Sequence, residues 1–483
     1  MSRVYFYPDI SYQEIKTIER QFNSNNNEYL INKASDFIFN IISCEQSKSK
    51  RILFICGPGS NGLDGVYSAC KLKLNEYRVN IFLCDPSIDT SYIKKCGLSE
   101  IIISNPTLNQ FDCIVDCIFG YGINRDLSDS YIKLINSINS TDVYTYSIDI
   151  PSGLHPETGK LCPVSVKCNC LISLMTYKRG IFTYQGKDTW ECLRHSTLID
   201  IKFDKKNYLI SANQKMNGSL YEVNYSQTHI HSQHKKSNGI CCIIAGEKPY
   251  HGSLILSTMG AFKSGCRYIH AFTDEEYAHT LPMIIPEVIA ESFSIENFEN
   301  NLRSFKNILI GPGTNDVSEK YIDIISNNLK YLNSIVVDAG ALKYLKRGYS
   351  YSNKVIITPH PGEAASLLNI SSDEVQKDRY QAARKLNQLF DCIIILKGSG
   401  TIIYDGVGFY TCMDGNSRMG VAGMGDILSG ILMCELASSS HNIDACIKAV
   451  TFHSHSGDYL FNNKVYNFLP SMIADTYSNL VNE

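Results

Sequence analysis

Short apolar runs separated by stretches of helical spacing recur along most of this chain. RILFIC at 51–56 is followed by a helix-forming stretch over 64–77, then by apolar segments at 79–84, 113–116 and 143–150. A second series starts with ICCIIA at 240–245 and continues at 307–310, 335–338, 355–358 and 393–397. Near-continuous apolar strands alternating with helices predict parallel sheets covered on both faces. Between the series, residues 203–238 are rich in Asn, Ser, Gln, Lys and His, with weak periodicity. This places a first domain over 1–215, a linker over 216–238 and a second domain over 239–483. The halves share no evident repeat, so the pattern predicts two different α/β folds in tandem.

Length and composition narrow the classes. A chain of 483 residues implies two or three domains, and 44% hydrophobic residues suffice for sizeable cores. A net charge of −3 gives no global attraction to nucleic acid or acidic membranes. No run approaches the roughly 18 apolar residues of a membrane span. The opening MSRVYFYPDISYQEIKTIERQF lacks the apolar core of a signal peptide and carries acids, so a cytoplasmic protein is expected. The 18 cysteines form no Cys-x-x-Cys pair, and several, such as Cys56, Cys113, Cys241 and Cys242, lie in apolar runs, as expected of reduced, buried thiols. His229, His231 and His234 stand in a polar stretch without a neighbouring acid or thiol, which favours a solvated linker over a metal site.

Chemistry concentrates where apolar runs end. Gly420-Val421-Ala422-Gly423-Met424-Gly425-Asp426 delivers one carboxylate to the start of an apolar helix. Glycines let backbone N–H groups approach an anion, and a helix N-terminus favours negative charge. An aspartate there can deprotonate a hydroxyl while the amides hold a transferring phosphoryl group. Taken alone, the turn is equally a helix start whose aspartate only caps it. No Gly-x-x-x-x-Gly-Lys-Ser/Thr occurs, which disfavours a P-loop enzyme. Other loops at run ends are Gly311-Pro312-Gly313, Asp338-Ala339-Gly340-Ala341-Leu342, Thr358-Pro359-His360-Pro361-Gly362-Glu363 and Leu396-Lys397-Gly398-Ser399-Gly400-Thr401. Lys397 and the amides of 398–400 could hold nucleotide phosphates, while His360 and Glu363 could position a substrate or a cation.

The first half has a comparable edge. GPGSNG at 57–62 matches Gly-x-Gly-x-x-Gly between a strand and a helix, with Asp85 ending the next strand. Asp116-Cys117-Ile118-Phe119-Gly120-Tyr121-Gly122 and Asp149-Ile150-Pro151-Ser152-Gly153 end two further strands. Strand C-termini in an open parallel sheet face the ligand crevice, so Asn61, Asp116, Asp149 and Ser152 could converge. Such oxygen ligands suit a hard cation, and the carboxylates could handle protons.

The loops GPGSNGLDG, DCIFGYG and DIPSG, in this order, resemble those of NAD(P)H-hydrate epimerase domains. The resemblance implies a Rossmann-like three-layer αβα fold. It implies a hydrated-nucleotide site lined by Ser60, Asn61, Gly62, Leu63, Asp64, Gly120, Tyr121, Gly122, Ile123, Asn124, Arg125, Asp126 and Asp149. Asp149 would be catalytic, with a potassium ion on Asn61, Asp116 and Ser152. Ser60 stands where the family has asparagine and Leu63 where it has glycine. From about residue 238 onward, GPG, DAGAL, TPHPGE, LKGSGT and GMGD resemble the ADP- or ATP-dependent NAD(P)H-hydrate dehydratases of ribokinase-like αβα fold. This implies nucleotide binding by Lys397, Gly398, Ser399, Gly400 and Thr401, and by a loop containing Asn416, Gly423, Met424 and Gly425. It implies hydrate binding near Ser253, Gly313 and His360, with Asp426 as base and ADP or ATP, with Mg2+, as phosphoryl donor. Gly340 and Met424 depart from the family pattern, and weakened rather than lost activity is expected. Together the halves imply an enzyme that epimerises R and S hydrates and dehydrates the S form, as a homo-oligomer. A ribokinase-like small-molecule kinase with a regulatory first half, or a non-catalytic nucleotide-binding module, remain the other readings.

Overall fold

The structure is a computed structural model that describes residues 3–23, 28–123, 125–198, 206–213, 219, 221–224 and 239–482. Asn124, the three histidines at 229–234 and most of the stretch read as linker lie outside the described residues. The chain forms two compact units, one on residues 7–205 and the other on the C-terminal half joined by 3–6, 206–213 and 221–224.

The first unit carries a seven-stranded, all-parallel sheet. Its order is Ile102–Ile103, Arg78–Leu83, Arg51–Cys56, Cys113–Cys117, Tyr144–Ile148, Cys168–Leu174, Trp190–Ser196. Ile52, Leu53, Phe54, Ile55 and Cys56 are all fully buried, as an apolar run between two covering layers requires. The helices Tyr29–Glu45 and Ser60–Leu74 pack together over one face, with Ala34, Ile38 and Ile42 closing the core on Ile52 and Phe54. From Arg51–Cys56 the chain moves outward to one edge, then restarts at Cys113–Cys117 and moves to the other. The order therefore reverses between these two strands, and their C-terminal loops flank a crevice.

The second unit repeats this logic in a sheet of twelve strands. The parallel part runs Ile289–Ser292, Ile269–Thr273, Ile240–Ile244, Phe305–Ile310, Ser334–Val337, Val355–Ile357, Ile393–Leu396. Its reversal lies between Ile240–Ile244 and Phe305–Ile310. Ile402–Tyr404 and Phe409–Cys412 extend it as an antiparallel hairpin. One face is covered by the helices His251–Lys263, Met424–Ser438, Asn442–Asn462 and Pro470–Asn482, and the other by Ser318–Asn327 and Arg379–Phe390.

The strand Tyr208–Ser211 falls in the segment that looked polar, yet all four residues are buried, and it runs parallel to Phe409–Cys412. Arg3–Pro8 and Tyr221–Asn224 follow it at the sheet edge, paired antiparallel. The boundary drawn at 215 and the linker drawn over 216–238 thus do not coincide with the division between units. Short strands of mixed polarity become legible only when the sheet that accepts them is known. None of the eighteen cysteines is joined in a disulfide, and most are buried.

Candidate active sites

In the first unit, glycine lets the loop after Arg51–Cys56 fold onto its neighbour. A Cβ on Gly57 would lie 2.0 Å from the carbonyl oxygen of Ile118, and one on Gly62 would lie 1.8 Å from that of Gly57. Gly62 therefore serves the turn. The turn places Ser60, Asn61 and Asp64 on the wall of a cavity of about 870 Å³ at the sheet reversal. Gly120, Tyr121, Gly122, Ile123, Arg125, Asp126 and Asp149 line the same cavity, whereas Gly62 and Leu63 do not. Leu63 is half-buried in the first turn of its helix. Asp85 lies at the cavity's far side, where it accepts hydrogen bonds from Ser87 at 2.8 and 2.5 Å.

Asp149 adopts a left-handed backbone conformation (φ 68°) and accepts the Tyr121 N–H at 3.1 Å. Bare backbone at Gly120 brings Asp149 and Asn61 together: a Cβ there would sit 3.2 Å from Asp149 Oδ2 and 3.1 Å from Asn61 Cβ. The main addition to the predicted set is Lys178. Its side chain is 2% exposed, forms an ion pair with Asp149 and donates to the Leu174 carbonyl. The only sequence signal was a lysine in the loop after an apolar strand. Burial raises the pKa of Asp64 well above the usual carboxylate range, and the charges of Asp149 and Glu19 add to the shift. Glu19, from the helix Tyr12–Asn23, is raised by burial and again by Asp149. The cavity thus pairs an ammonium–carboxylate couple with two carboxyl groups inclined to hold protons.

Beneath the cavity, Asp116 is fully buried and accepts from Ser152 N (3.0 Å), Ser152 Oγ (2.6 Å), Ser147 Oγ (2.8 Å) and Ile118 N (3.2 Å). Burial raises its pKa against these hydrogen bonds. Asn61 Nδ2 donates to the Phe119 carbonyl at 3.0 Å, and Ser152 Oγ accepts the Phe119 N–H at 2.8 Å. Among the described residues, Asn61 Oδ1 is buried and meets no hydrogen-bond partner. An orphaned amide oxygen in a loop with a buried carboxylate, a carbonyl and a hydroxyl fits a hard cation.

In the second unit, two glycine contacts fix the Asp426 helix. A Cβ on Gly430 would lie 1.9 Å from the Ser257 carbonyl oxygen, and one on Gly260 would lie 2.4 Å from that of Ile427. The helices Met424–Ser438 and His251–Lys263 therefore pack backbone to backbone, and the Ser253 side chain stands near enough to the Asp426 carboxylate to work against the rise in its pKa. Gly313 (φ 62°) closes this corner, since a Cβ there would lie 2.9 Å from Ser253 Cβ. Gly423 (φ 90°) caps the helix, and a Cβ there would lie 2.3 Å from Leu256 Cδ1. Ser253, Gly313, Gly423, Gly425 and Asp426 thus come together. Met424 instead is buried in the core.

Burial and the charge of Asp338 raise the Asp426 pKa to about 6, opposed by Ser253 and Lys397. Asp338 is itself held by Lys397 Nζ at 2.7 Å and Ser429 Oγ at 2.5 Å. Burial works to raise its pKa, but Lys397 and these hydrogen bonds keep it low. Lys397 lies beneath the turn, its Nζ 3.3 Å from where a Gly425 Cβ would be. Its amine thus belongs to the Asp426 side of the site, while Gly398 and Ser399 are exposed on the loop beyond. Gly340 leaves no room for the side chain usual in the family, as a Cβ would lie 1.8 Å from the Thr314 carbonyl oxygen. His360 caps the helix Pro361–Leu368: its Nδ1 accepts the Gly362 N–H at 3.0 Å, and its own N–H donates to Glu363 Oε2 at 2.7 Å. Its ring remains largely exposed. Asn416 is held by Asp458, Nδ2 to Oδ1 at 2.9 Å.

The architecture defines a two-unit α/β protein with a polar cavity at the sheet reversal of the first unit and, in the second, a half-buried carboxylate in the first turn of the helix Met424–Ser438. The NAD(P)H-hydrate dehydratase family matches residues 241–479, and the family described as YjeF-related protein N-terminus matches residues 28–180. A bifunctional NAD(P)H-hydrate repair enzyme from Vibrio cholerae is 32% identical over 352 residues, covering 72% of this chain and 70% of its own length. Its namesake from Coxiella burnetii is 27% identical over 92% of this chain and 93% of its own. A solved ribokinase-like superfamily protein from Enterococcus faecalis, 24% identical, aligns with a TM-score of 0.48 over 53% of this chain and 91% of its own. The chain belongs to the family of bifunctional NAD(P)H-hydrate repair enzymes.

Proposed function

We propose that this chain restores NADH and NADPH from their hydrates, the first unit interconverting R and S epimers and the second dehydrating the S form with ADP or ATP. The observation that carries the reading is Asp426: a carboxylate in the first turn of a helix, beside Ser253 and electrostatically tied to Asp338 and Lys397. A ring hydroxyl is a poor leaving group and phosphate a good one, which is the reason a nucleotide is consumed. Asp426 removes the hydroxyl proton. Gly425 and Asp426 contribute first-turn amides, which an α-helix leaves without intrahelical acceptors, to stabilise the transferring phosphoryl group. Lys397 adds positive charge beside it. Mg2+, bound with the nucleotide, would neutralise phosphate charge. The nucleotide leaves one phosphate shorter; loss of phosphate, pushed out by the ring nitrogen, and of a proton from the adjacent ring carbon then re-forms the ring double bond.

In the first unit the reacting carbon bears both the hydroxyl and the ring nitrogen. Inversion there needs one group to give a proton and another to accept one. Asp149, tied to Lys178, is the acceptor, and Asp64 is suited to donate. Potassium would be held by Asn61, Asp116 and Ser152, where it fixes the loop after Cys113–Cys117. If so, thermal stability of the wild type should be higher in potassium than in lithium salts, and Asn61→Leu should remove that difference. A cytoplasmic setting and self-association belong to this reading.

The test is recovery of NADH from a mixed R and S hydrate preparation, with ADP and ATP supplied separately. Full recovery with release of free phosphate is expected. A stable phosphorylated product would instead indicate a small-molecule kinase, and no turnover with either nucleotide would overturn the dehydratase assignment.

A further inference from the structure

The helix Arg379–Phe390 opens with an arginine that is 3% exposed. Among the described residues no carboxylate pairs with it. Its guanidinium gathers backbone carbonyls instead: Nη1 donates to Ser399 O (2.5 Å) and Gly400 O (3.0 Å), and Nη2 to Leu396 O (3.0 Å) and Lys397 O (3.1 Å). The remaining carbonyl in the run, that of Gly398, accepts the Thr401 hydroxyl at 3.2 Å.

This pattern dictates where the amides go. In a trans peptide the C=O and the following N–H point in opposite directions. Drawing the carbonyls of 396, 397, 399 and 400 toward Arg379 turns the N–H groups of 397, 398, 400 and 401 away from it. The Lys397 N–H donates to the Pro359 carbonyl at 2.9 Å. Those of Gly398, Gly400 and Thr401 meet no acceptor among the described residues. Gly398 (φ 136°) and Gly400 (φ 65°) permit the required conformation. A Cβ on Gly398 would also crowd Arg379 Nη2 at 3.0 Å. Amides turned from Arg379 in this way, with Gly398 exposed, Thr401 half-buried and Gly400 buried, form an anion-binding concavity.

The charge is the second observation. Burying a cation is costly unless a counter-charge accompanies it. Burial lowers the Arg379 pKa to about 10, so it stays charged at neutral pH. Neutral donors could satisfy the same carbonyls, but only a cation also attracts an anion through the loop.

We propose that Arg379 is a positioning residue for the nucleotide: it turns the amides of Gly398, Gly400 and Thr401 toward the phosphates of ADP or ATP and places an uncompensated positive charge behind them. This rests on the nucleotide-dependent reading of the second unit. The experiment is calorimetric titration of ADP and of ATP, separately, into the full-length wild type, Arg379→Lys and Arg379→Gln at two salt concentrations, with steady-state kinetics alongside. Losing charge-assisted hydrogen bonds corresponds to about 10–100-fold in affinity. Arg379→Gln should weaken nucleotide binding by about that factor, raise the nucleotide KM and leave kcat at saturation within about three-fold. Arg379→Lys, which keeps the charge but lacks the planar fork, should fall between. The salt dependence of binding should flatten in Arg379→Gln, and the KM for the hydrate should not move. Unchanged nucleotide affinity in a folded variant, or a lower kcat at unchanged nucleotide KM, would overturn the proposal and leave the dehydratase reading standing. Should Arg379→Gln not fold, Arg379→Lys decides by the same criterion. Failure of the wild type itself to bind either nucleotide would overturn both.

Discussion

Asp426 sits where opposing influences compete for its proton. Burial and Asp338 hold the proton on, Ser253 and Lys397 draw it off, and the balance lies at about 6. With Asp426 as the proposed base, the carboxylate is the active form, so dehydration should fall about tenfold per pH unit below 6 and level off above it, in a pH–rate profile at saturating substrate. Asp426→Asn should lower dehydration by about 10²–10⁴-fold, abolish that acid limb and leave epimerisation unchanged. In the first unit, Asp149→Asn and Lys178→Met should each slow R-to-S conversion while dehydration of pure S hydrate continues at the wild-type rate. Equal effects of each variant on both reactions would contradict the assignment of one chemistry to each unit. Asp149 was legible from its position in DIPSG after a strand. Lys178 was not, because nothing in the sequence marks a lysine as buried until the cavity around it is known.

At the scale of elements, catalytic geometry depends on close backbone packing. Gly430 meets the Ser257 carbonyl, and Gly260 meets that of Ile427, so the helix carrying Asp426 and the one carrying Ser253 touch without intervening side chains. Gly430→Val should push the helices apart. A loss of about 1–3 kcal/mol in urea unfolding is expected, as for overpacked cores, with dehydration falling further than stability explains. The strands RILFIC and ICCIIA were readable because they are buried on both faces and carry an unbroken apolar run. Cys168–Leu174 and Ile269–Thr273 escaped notice because polar residues such as Asn169, Ser173 and His270 interrupt the pattern, although the folded sheet buries or half-buries them.

At the scale of the whole molecule, the second unit recruits strands from two distant parts of the chain, Arg3–Pro8 and Tyr208–Ser211. A fragment over 239–483, the domain drawn from the sequence, would leave Phe409–Cys412 as an unpaired edge with Thr411 and Cys412 newly exposed. It should melt lower than the second unit does in the intact chain and should aggregate on heating, measured by calorimetry and light scattering. Equal melting would mean that the added strands contribute nothing to its stability.

The sequence by itself determined that there are two α/β units, which loops end many of their strands, and where on those loops the candidate polar residues stand. Local period and glycine chemistry encode these, and both act over a few residues. Only the tertiary structure decided that Lys178 joins Asp149, that Lys397 turns toward Asp338 and Gly425, that Arg379 gathers the carbonyls of its loop, and that the first strand of the chain completes the second sheet. Each of these is a contact between residues far apart in sequence. Whether a charge is buried, paired or exposed there depends on the surrounding fold, which no local pattern records.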